Sequence, residues 1–334
     1  MKEFDREVKQ EVWERRLSIL ETCLGASIMH YMHDDNVTEV MVNPDGKLWL
    51  DTIDKGFQKT DVIMDPEDTK RIIYIIADLS GQVIDLKMDP SLQANIPESR
   101  LFANCRFQAE LPPIVMAPSF NIRKHSKVVI TLEDYVRQGT MTENQRQVIL
   151  NAIHGKKNII AAGGTGSGKT TLLNAILAEI SSLDERVVTI EDTKELKCTA
   201  ENYVGLSTTD TVDMDNLLRK TLRLSPNRIV VGEVRGKEAL TLIDAWSTGH
   251  RGGCSTVHSD NAYDTLFRLE DLVSRVSVSS QQAGIARAID VIVYIERRAV
   301  SRVIAEVLSI DGWDRDAHDY ITHRLDDVKI TADL

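Results

Sequence analysis

Apolar residues recur at Phe4, Val8, Val12, Leu17 and Leu20 among alternating charges, a near-helical spacing that predicts an amphipathic helix over residues 1–20. Five basic and five acidic residues share this stretch. Its polar side therefore lacks the cationic excess of a membrane-surface helix, and packing against the protein's own core is the expected role. At residue 39 the pattern changes. Val40-Met41-Val42 and Leu48-Trp49-Leu50 flank Pro44-Asp45-Gly46, which predicts a hairpin opening a small sheet. Residues 68–79 read as a helix, and prolines with polar punctuation over 90–118 predict strands joined by loops. Residues 126–139 lead out of this region, and a second helix follows over 142–154, with Thr142 and Asn144 as its start signal.

Downstream, apolar strands at 158–162, 187–190, 229–231 and 254–257 alternate with helical stretches such as 170–180 and 239–246. This is the βαβ rhythm of a mainly parallel sheet. Strand-like runs at 291–295 and 303–310 follow, and after Asp311 the chain turns polar with little periodicity, which predicts a loosely held tail. A length of 334 residues favours two domains over one. The expected division is 1–138 and 139–334, with the boundary near Gly139.

Composition excludes more than it assigns. Charged or polar residues interrupt even the most apolar stretch, 71–79, so no run approaches the roughly 20 residues of a membrane span. The N-terminus alternates charges and lacks a secretory apolar core, and the four cysteines form no C-x-x-C pair, so a cytoplasmic location with reduced thiols is expected. A net charge of -11 repels phosphate backbones. The local basic run Arg123-Lys124-His125-Ser126-Lys127 is short, and no strong direct nucleic acid binding is expected.

Candidate chemistry concentrates in the second half. Gly163-Gly164-Thr165-Gly166-Ser167-Gly168-Lys169-Thr170, followed by Thr171, satisfies G-x-x-x-x-G-K-[ST] between an apolar strand and a helix. Glycines there let backbone N–H groups turn inward around phosphate oxygens, and the helix points its positive end at the same place. Lys169 is expected to reach the β- and γ-phosphates of ATP, and the Thr170 hydroxyl to ligate Mg²⁺. Strand 187–190 runs into Glu191-Asp192, and strand 229–231 into Gly232-Glu233, both on the carboxyl edge where open α/β sheets bind ligands. Glu233 is expected to polarise the attacking water and Glu191 to partner it through the metal, with the two roles interchangeable on sequence alone. His250, Cys254 and His258 fall at four-residue intervals, but the double glycine Gly252-Gly253 and a missing fourth ligand argue against zinc. His258 is instead expected at a strand end near the γ-phosphate.

These blocks together resemble the secretion traffic ATPases, the motors of type II and type IV secretion and of type IV pili. Ile190-Glu191-Asp192 with Glu195-Leu196 looks like the family's acidic box. Leu218-Arg219-Lys220 through Pro226 to Gly232-Glu233-Val234-Arg235-Gly236 looks like its second nucleotide box, and the segment from Gly249 to His258 like its histidine box. Residues 39–50, Arg106-Phe107 with Leu111-Pro112-Pro113, and Pro118-Ser119-Phe120-Asn121-Ile122-Arg123-Lys124 resemble the N-terminal domain of the conjugation and type IV secretion branch.

The resemblance implies an α/β protein with a RecA-like P-loop motor domain and a smaller α+β, PAS-like N-terminal domain. It also implies ATP and Mg²⁺ as cofactors, a homo-hexameric ring, and peripheral docking on inner-membrane secretion machinery at its cytoplasmic face. In such rings arginines from the N-terminal domain or an adjacent subunit meet the developing phosphoryl charge, and Arg106, Arg123, Arg219 and Arg235 are the candidates. Three other functions stay open at this stage. A type II or pilus motor often carries a four-cysteine module that is absent here; a nucleotide-gated scaffold binds ATP with little turnover; a DNA translocase sits poorly with the acidic balance.

Overall fold

Helix α1 (Lys2–His33) opens the chain and is broken at Gly25, whose φ of 69° no side-chain-bearing residue adopts without strain. The structure, a computed structural model, describes residues 2–96, 99, 105–124, 129–209, 211–298 and 301–326. Phe4 and Val8 of the expected apolar stripe lie outside the described side chains. The stripe that is buried runs through Leu17, Leu20, Leu24, Ile28 and Met32. Val12 lies five residues before Leu17, about 140° round the helix, and is exposed.

Six strands follow: β1 (Val37–Val42), β2 (Lys47–Thr52), β3 (Gly56–Ile63), then β4 (Ser91–Ile96), β5 (Cys105–Glu110) and β6 (Ser119–Lys124), with α2 (Pro66–Leu79) between β3 and β4. They form an antiparallel sheet in the order β3-β2-β1-β6-β5-β4. The β1–β2 turn is the predicted one: Gly46 takes φ 76°, and Asp45 Oδ1 accepts the Lys47 N–H at 3.1 Å. Helix α2 begins where Asp65 accepts the Glu67 N–H and Pro66 presets the first turn. Its Ile72, Ile73 and Ile76 share one core with the α1 stripe and with the inward-facing Val40, Leu48, Phe107 and Ile122.

The second unit holds α3 (Leu132–Arg137), α4 (Glu143–His154), β7 (Ile159–Gly163), α5 (Lys169–Ser181), β8 (Val187–Glu191), β9 (Tyr203–Ser207), α6 (Met214–Thr221) and β10 (Arg228–Val231). It continues with α7 (Glu238–Ser247), β11 (Cys254–His258), α8 (Asp264–Ser274), α9 (Gln282–Ala288), β12 (Val291–Arg298), β13 (Ser301–Asp314) and β14 (Asp319–Arg324). The sheet order is β14-β13-β12-β7-β11-β10-β8-β9. From β12 to β9 all pairings are parallel, and β13 and β14 add antiparallel strands at one edge. Side chains of β7 alternate between two cores. Ile160 and Ala162 join the core of α6 to α9, while Ile159 and Ala161 join that of α4 and α5.

The chain divides into Met1–Lys127 and Val128–Leu334, upstream of the boundary expected at Gly139. The reason is packing: Leu132 and Tyr135 of α3, with Met141, belong to the same core as α4, α5 and β7. Gly139, at φ 72°, only stops α3, its N–H bonded to the Val136 carbonyl at 3.0 Å. Residues 125–128 of the basic run and lead-out lie outside the described residues. The loosely held tail after Asp311 is corrected as far as Asp326. Strand β13 continues to Asp314, β14 pairs with it, and Trp313 meets Tyr320 edge to face at 4.8 Å. Tyr320 is 5% exposed and donates to Glu270 at 2.8 Å, so a short half-buried strand escaped a reading based on long periodicity.

At the amino edge of the parallel sheet Arg228 is buried at 1% exposure. It donates through Nε to Glu185 and through Nη1 to the carbonyls of Ile153 and Gly252, each at 3.0 Å. Lys156 reaches the other oxygen of Glu185 at 2.7 Å. Burial works against ionising Glu185, but its hydrogen bonds from Arg228 and Lys156 prevail and hold its carboxyl below the usual range. Arg228→Ala removes a buried charged donor from the Ile153 and Gly252 carbonyls and from Glu185, and is expected to cost about 3 to 5 kcal/mol in urea unfolding. Arg228→Met, which restores volume without charge, is expected to cost clearly less.

Candidate functional site

Strand β7 carries Gly163 to the carboxyl edge of the sheet, and α5 starts at Lys169. Between them Gly166 (φ 68°) and Gly168 (φ 98°) hold the left-handed backbone that wraps a concave loop. Gly163 is required by space, because a Cβ there would stand 2.2 Å from the Ile295 carbonyl oxygen of β12 and 2.6 Å from Ser167 Oγ. Ser167 is 2% exposed, and its Oγ has no hydrogen-bond partner among the described residues. A buried, unpartnered hydroxyl costs roughly 1 to 3 kcal/mol, a deficit that a phosphate oxygen in the loop would remove. Lys169 Nζ donates to the Gly164 carbonyl at 2.8 Å, while Thr165 is exposed and Thr170 and Thr171 are half-buried on the first turn of α5. These features fit a nucleotide's phosphate chain, and Thr170 with Glu191 offers the hard oxygen donors that magnesium takes.

Parallel register sets the acids beside the loop. His258 pairs with Gly163, Val231 with both Ser255 and Ile190, so the ends of β7, β11, β10 and β8 stand in line. Glu191 closes β8 at 6% exposure, and its Oε2 accepts the N–H groups of Glu195 and Leu196 at 2.7 and 2.8 Å. Burial outweighs these donors and pushes its carboxyl up to about 7. Gly232 leaves room for it, since a Cβ there would stand 3.2 Å from the Glu191 Cβ. Glu233, one residue further, pairs through Oε2 with Arg235 Nη2 at 2.5 Å. The hydrogen bond from Arg235 to Glu233 raises the guanidinium's own proton affinity above its ordinary value. His258 is exposed at the end of β11.

Of the four candidate arginines, two lie in each unit. Arg235 lines a cleft of about 370 Å³ with Asp192, Asp213, Asp215 and Glu238, and Arg219 binds the Asp215 of that cleft at 3.1 Å. Arg106 and Arg123 belong to the first unit, where they are cross-strand neighbours on β5 and β6, and Arg123 lies 3.7 Å from Glu39. Sequence reading passed over Glu238. Its Oε1 accepts the N–H groups of Arg235 and Gly236 at 2.6 and 2.7 Å and so shapes the loop that bears Glu233. The available signal was an acid in the first turn of the next helix, after Gly236-Lys237. Cys254 and His258 sit at opposite ends of β11, about 13 Å apart by strand rise, too far to share an ion. Burial pushes the Cys254 thiol up to about 12.

Fold and site together define an α/β protein with a glycine-rich loop at the carboxyl edge of a parallel sheet and acids from neighbouring strands beside it. The chain belongs to the family described as Type II/IV secretion system protein, whose profile matches residues 24–310. It is 43% identical to the conjugal transfer protein TrbB of Rhizobium radiobacter over 297 residues, covering 88% of this chain and 90% of that one. It is 30% identical to the type IV secretion system protein PtlH of Bordetella pertussis, over 86% and 92% of the two chains. The X-ray structure of the Legionella pneumophila ATPase DotB superposes with a TM-score of 0.61 at 18% identity, over 89% of this chain and 79% of that one, which shows a shared fold. The resemblance read from the sequence blocks is thereby borne out, including its conjugation branch.

Proposed function

We propose that the chain is a ring-forming ATPase that couples ATP hydrolysis to conjugative or type IV secretion, serving pilus assembly or substrate transfer across the envelope. The observation that carries the chemistry is the loop at residues 163–171, with the orphaned Ser167 hydroxyl at its centre and Lys169 at its rim. Names of relatives in conjugal transfer and type IV secretion support the biological setting. Lys169 exchanges the Gly164 carbonyl for β- and γ-phosphate oxygens, and the backbone amides of the loop hold the rest of the chain. Thr170 and Glu191 would hold Mg²⁺, which would supply charge neutralisation when bound. Glu233 orients and polarises the attacking water once Arg235 turns from it toward the transferring phosphoryl group. His258, beside Gly163, responds to the nucleotide's state.

In this reading the second unit is the RecA-like motor and the first a PAS-like domain. Six copies form the ring, in which Arg106, Arg123 and Arg219 are further candidates for contact with phosphate. Among the described residues no helix is long and apolar enough to cross a membrane. A peripheral place on the cytoplasmic face, against inner-membrane components, is the setting we favour. The test is phosphate release by the purified chain, measured together with its native mass. Magnesium-dependent turnover in a particle of six chains is the expected result. Tight ATP binding without turnover, even with membrane partners supplied, would point to a nucleotide-gated scaffold instead.

A further inference from the structure

The hairpin β12–β13 brings two arginines over the phosphate loop that no motif marks. Strand β12 lies parallel to β7, with Tyr294 opposite Ala162, and then continues past the end of β7. Its Ile295 carbonyl covers Gly163 so closely that no side chain fits between them. Two residues on, Arg297 stands directly opposite Arg302 of β13. Methyl groups built on the loop glycines locate both side chains. One on Gly168 would meet Arg302 Cδ at 3.2 Å and Nε at 3.5 Å, and one on Gly166 would meet Arg297 Nη1 at 3.6 Å.

Glu296 is bonded to Arg298, on the other face of β12 from Arg297. The platform is also fixed. Ile304 of β13 gives its N–H to the Thr140 carbonyl at 2.7 Å and takes the Gln145 amide on its own carbonyl at 3.0 Å, two residues from Arg302.

We propose that Arg302, assisted by Arg297, forms a second wall of the nucleotide site, contributed by the same chain and closing on the phosphate chain from the β12–β13 side. This rests on the reading of residues 163–171 as a polyphosphate cradle. The loop's amides and Lys169 hold the phosphates from below and behind. The two guanidinium groups add planar donors on the flank next to Gly166 and Gly168, suited to oxygens of adjacent phosphates. The ligand class is a nucleoside di- or triphosphate. The gain falls on binding and is shared by ATP and ADP.

The experiment is titration of the purified full chain with fluorescent ATP, ADP and AMP analogues, with urea unfolding as a check on folding. Arg302→Ala is expected to weaken ATP and ADP binding by roughly tenfold and AMP binding much less, the scale of one lost charge-assisted hydrogen bond. Arg302→Lys is expected to recover part of the loss, since charge returns without the planar fork. Arg297→Ala is expected to weaken both by roughly threefold, and Arg298→Ala to stay within about twofold of wild type. Should Arg302→Ala not fold, Arg302→Lys and Arg297→Ala decide the matter, and no weakening in either overturns the proposal. Unchanged ATP and ADP affinity in a folded Arg302→Ala, beside lost affinity in Lys169→Ala, also overturns it and leaves the phosphate loop intact. Wild-type affinity in Lys169→Ala would mean that the loop itself had been misread.

Discussion

Alanine at position 169 is expected to lower steady-state ATP turnover by about a hundredfold or more and to weaken ATP binding, with the fold intact. Lys169 is half-buried on the first turn of α5 and holds the Gly164 carbonyl, so its ammonium is already placed at the mouth of the loop. Exchange of that neutral acceptor for phosphate oxygens is a short movement of one side chain. The replacement is as strong as a charge-assisted bond allows, and it strengthens further as charge develops on the transferring group. Alanine removes the only ammonium that the loop's own sequence provides. Stability in urea should change little, because the Gly164 carbonyl keeps the Ser167 N–H at 3.4 Å. Turnover within a few-fold of wild type in the alanine variant would overturn the assignment of the site.

Glu233→Gln is the second substitution with a large expected effect, and it separates chemistry from binding. Glutamine keeps the shape and can still accept from Arg235, but it cannot take a proton. Turnover is expected to fall by about 10² to 10⁴, the usual range for a lost general base, while ATP affinity stays within about twofold. The Glu233–Arg235 pair complicates a simple reading, since the carboxylate is tied at 2.5 Å to a guanidinium on its own loop. If Glu233 served only to hold Arg235, glutamine would keep most of the turnover and Arg235→Ala would lose it. If Glu233 is the base, the glutamine variant loses turnover with ATP binding kept, while Arg235→Ala weakens binding as well. Steady-state turnover and equilibrium binding on both proteins decide between these roles.

The parts of the site that were legible in the sequence are those whose chemistry is local. Glycines at 163, 166 and 168, followed by Lys169 and Thr170, serve a backbone shape and a charge that neighbouring residues create together, so the motif carries its own meaning. Glu191 and Glu233 were legible because each follows a short apolar run, which places them at strand ends. The hidden parts depend on distant segments. Arg228 looks like an exposed strand start until Glu185, Ile153 and Gly252 close around it. The arginines at 297 and 302 acquire significance only through the pairing of β12 with β7. Strand β9, mostly half-buried, and β14, with a single buried residue, lack the apolar content that makes a strand visible in one dimension. The boundary near Gly139 failed for a different reason: a helix-stopping glycine and a domain junction give the same local signal.

The antiparallel ribbon at the end of the described chain also bears on solubility. A parallel sheet that stopped at β12 would present an unpaired ladder of amides and carbonyls, a template to which another chain's extended segment can add. Strand β13 takes up that ladder, and β14 presents the final rim with His323 and Arg324, while Arg324 and Asp326 form an ion pair at 3.0 Å. The charged selvedge discourages strand addition by neighbouring molecules along this flank.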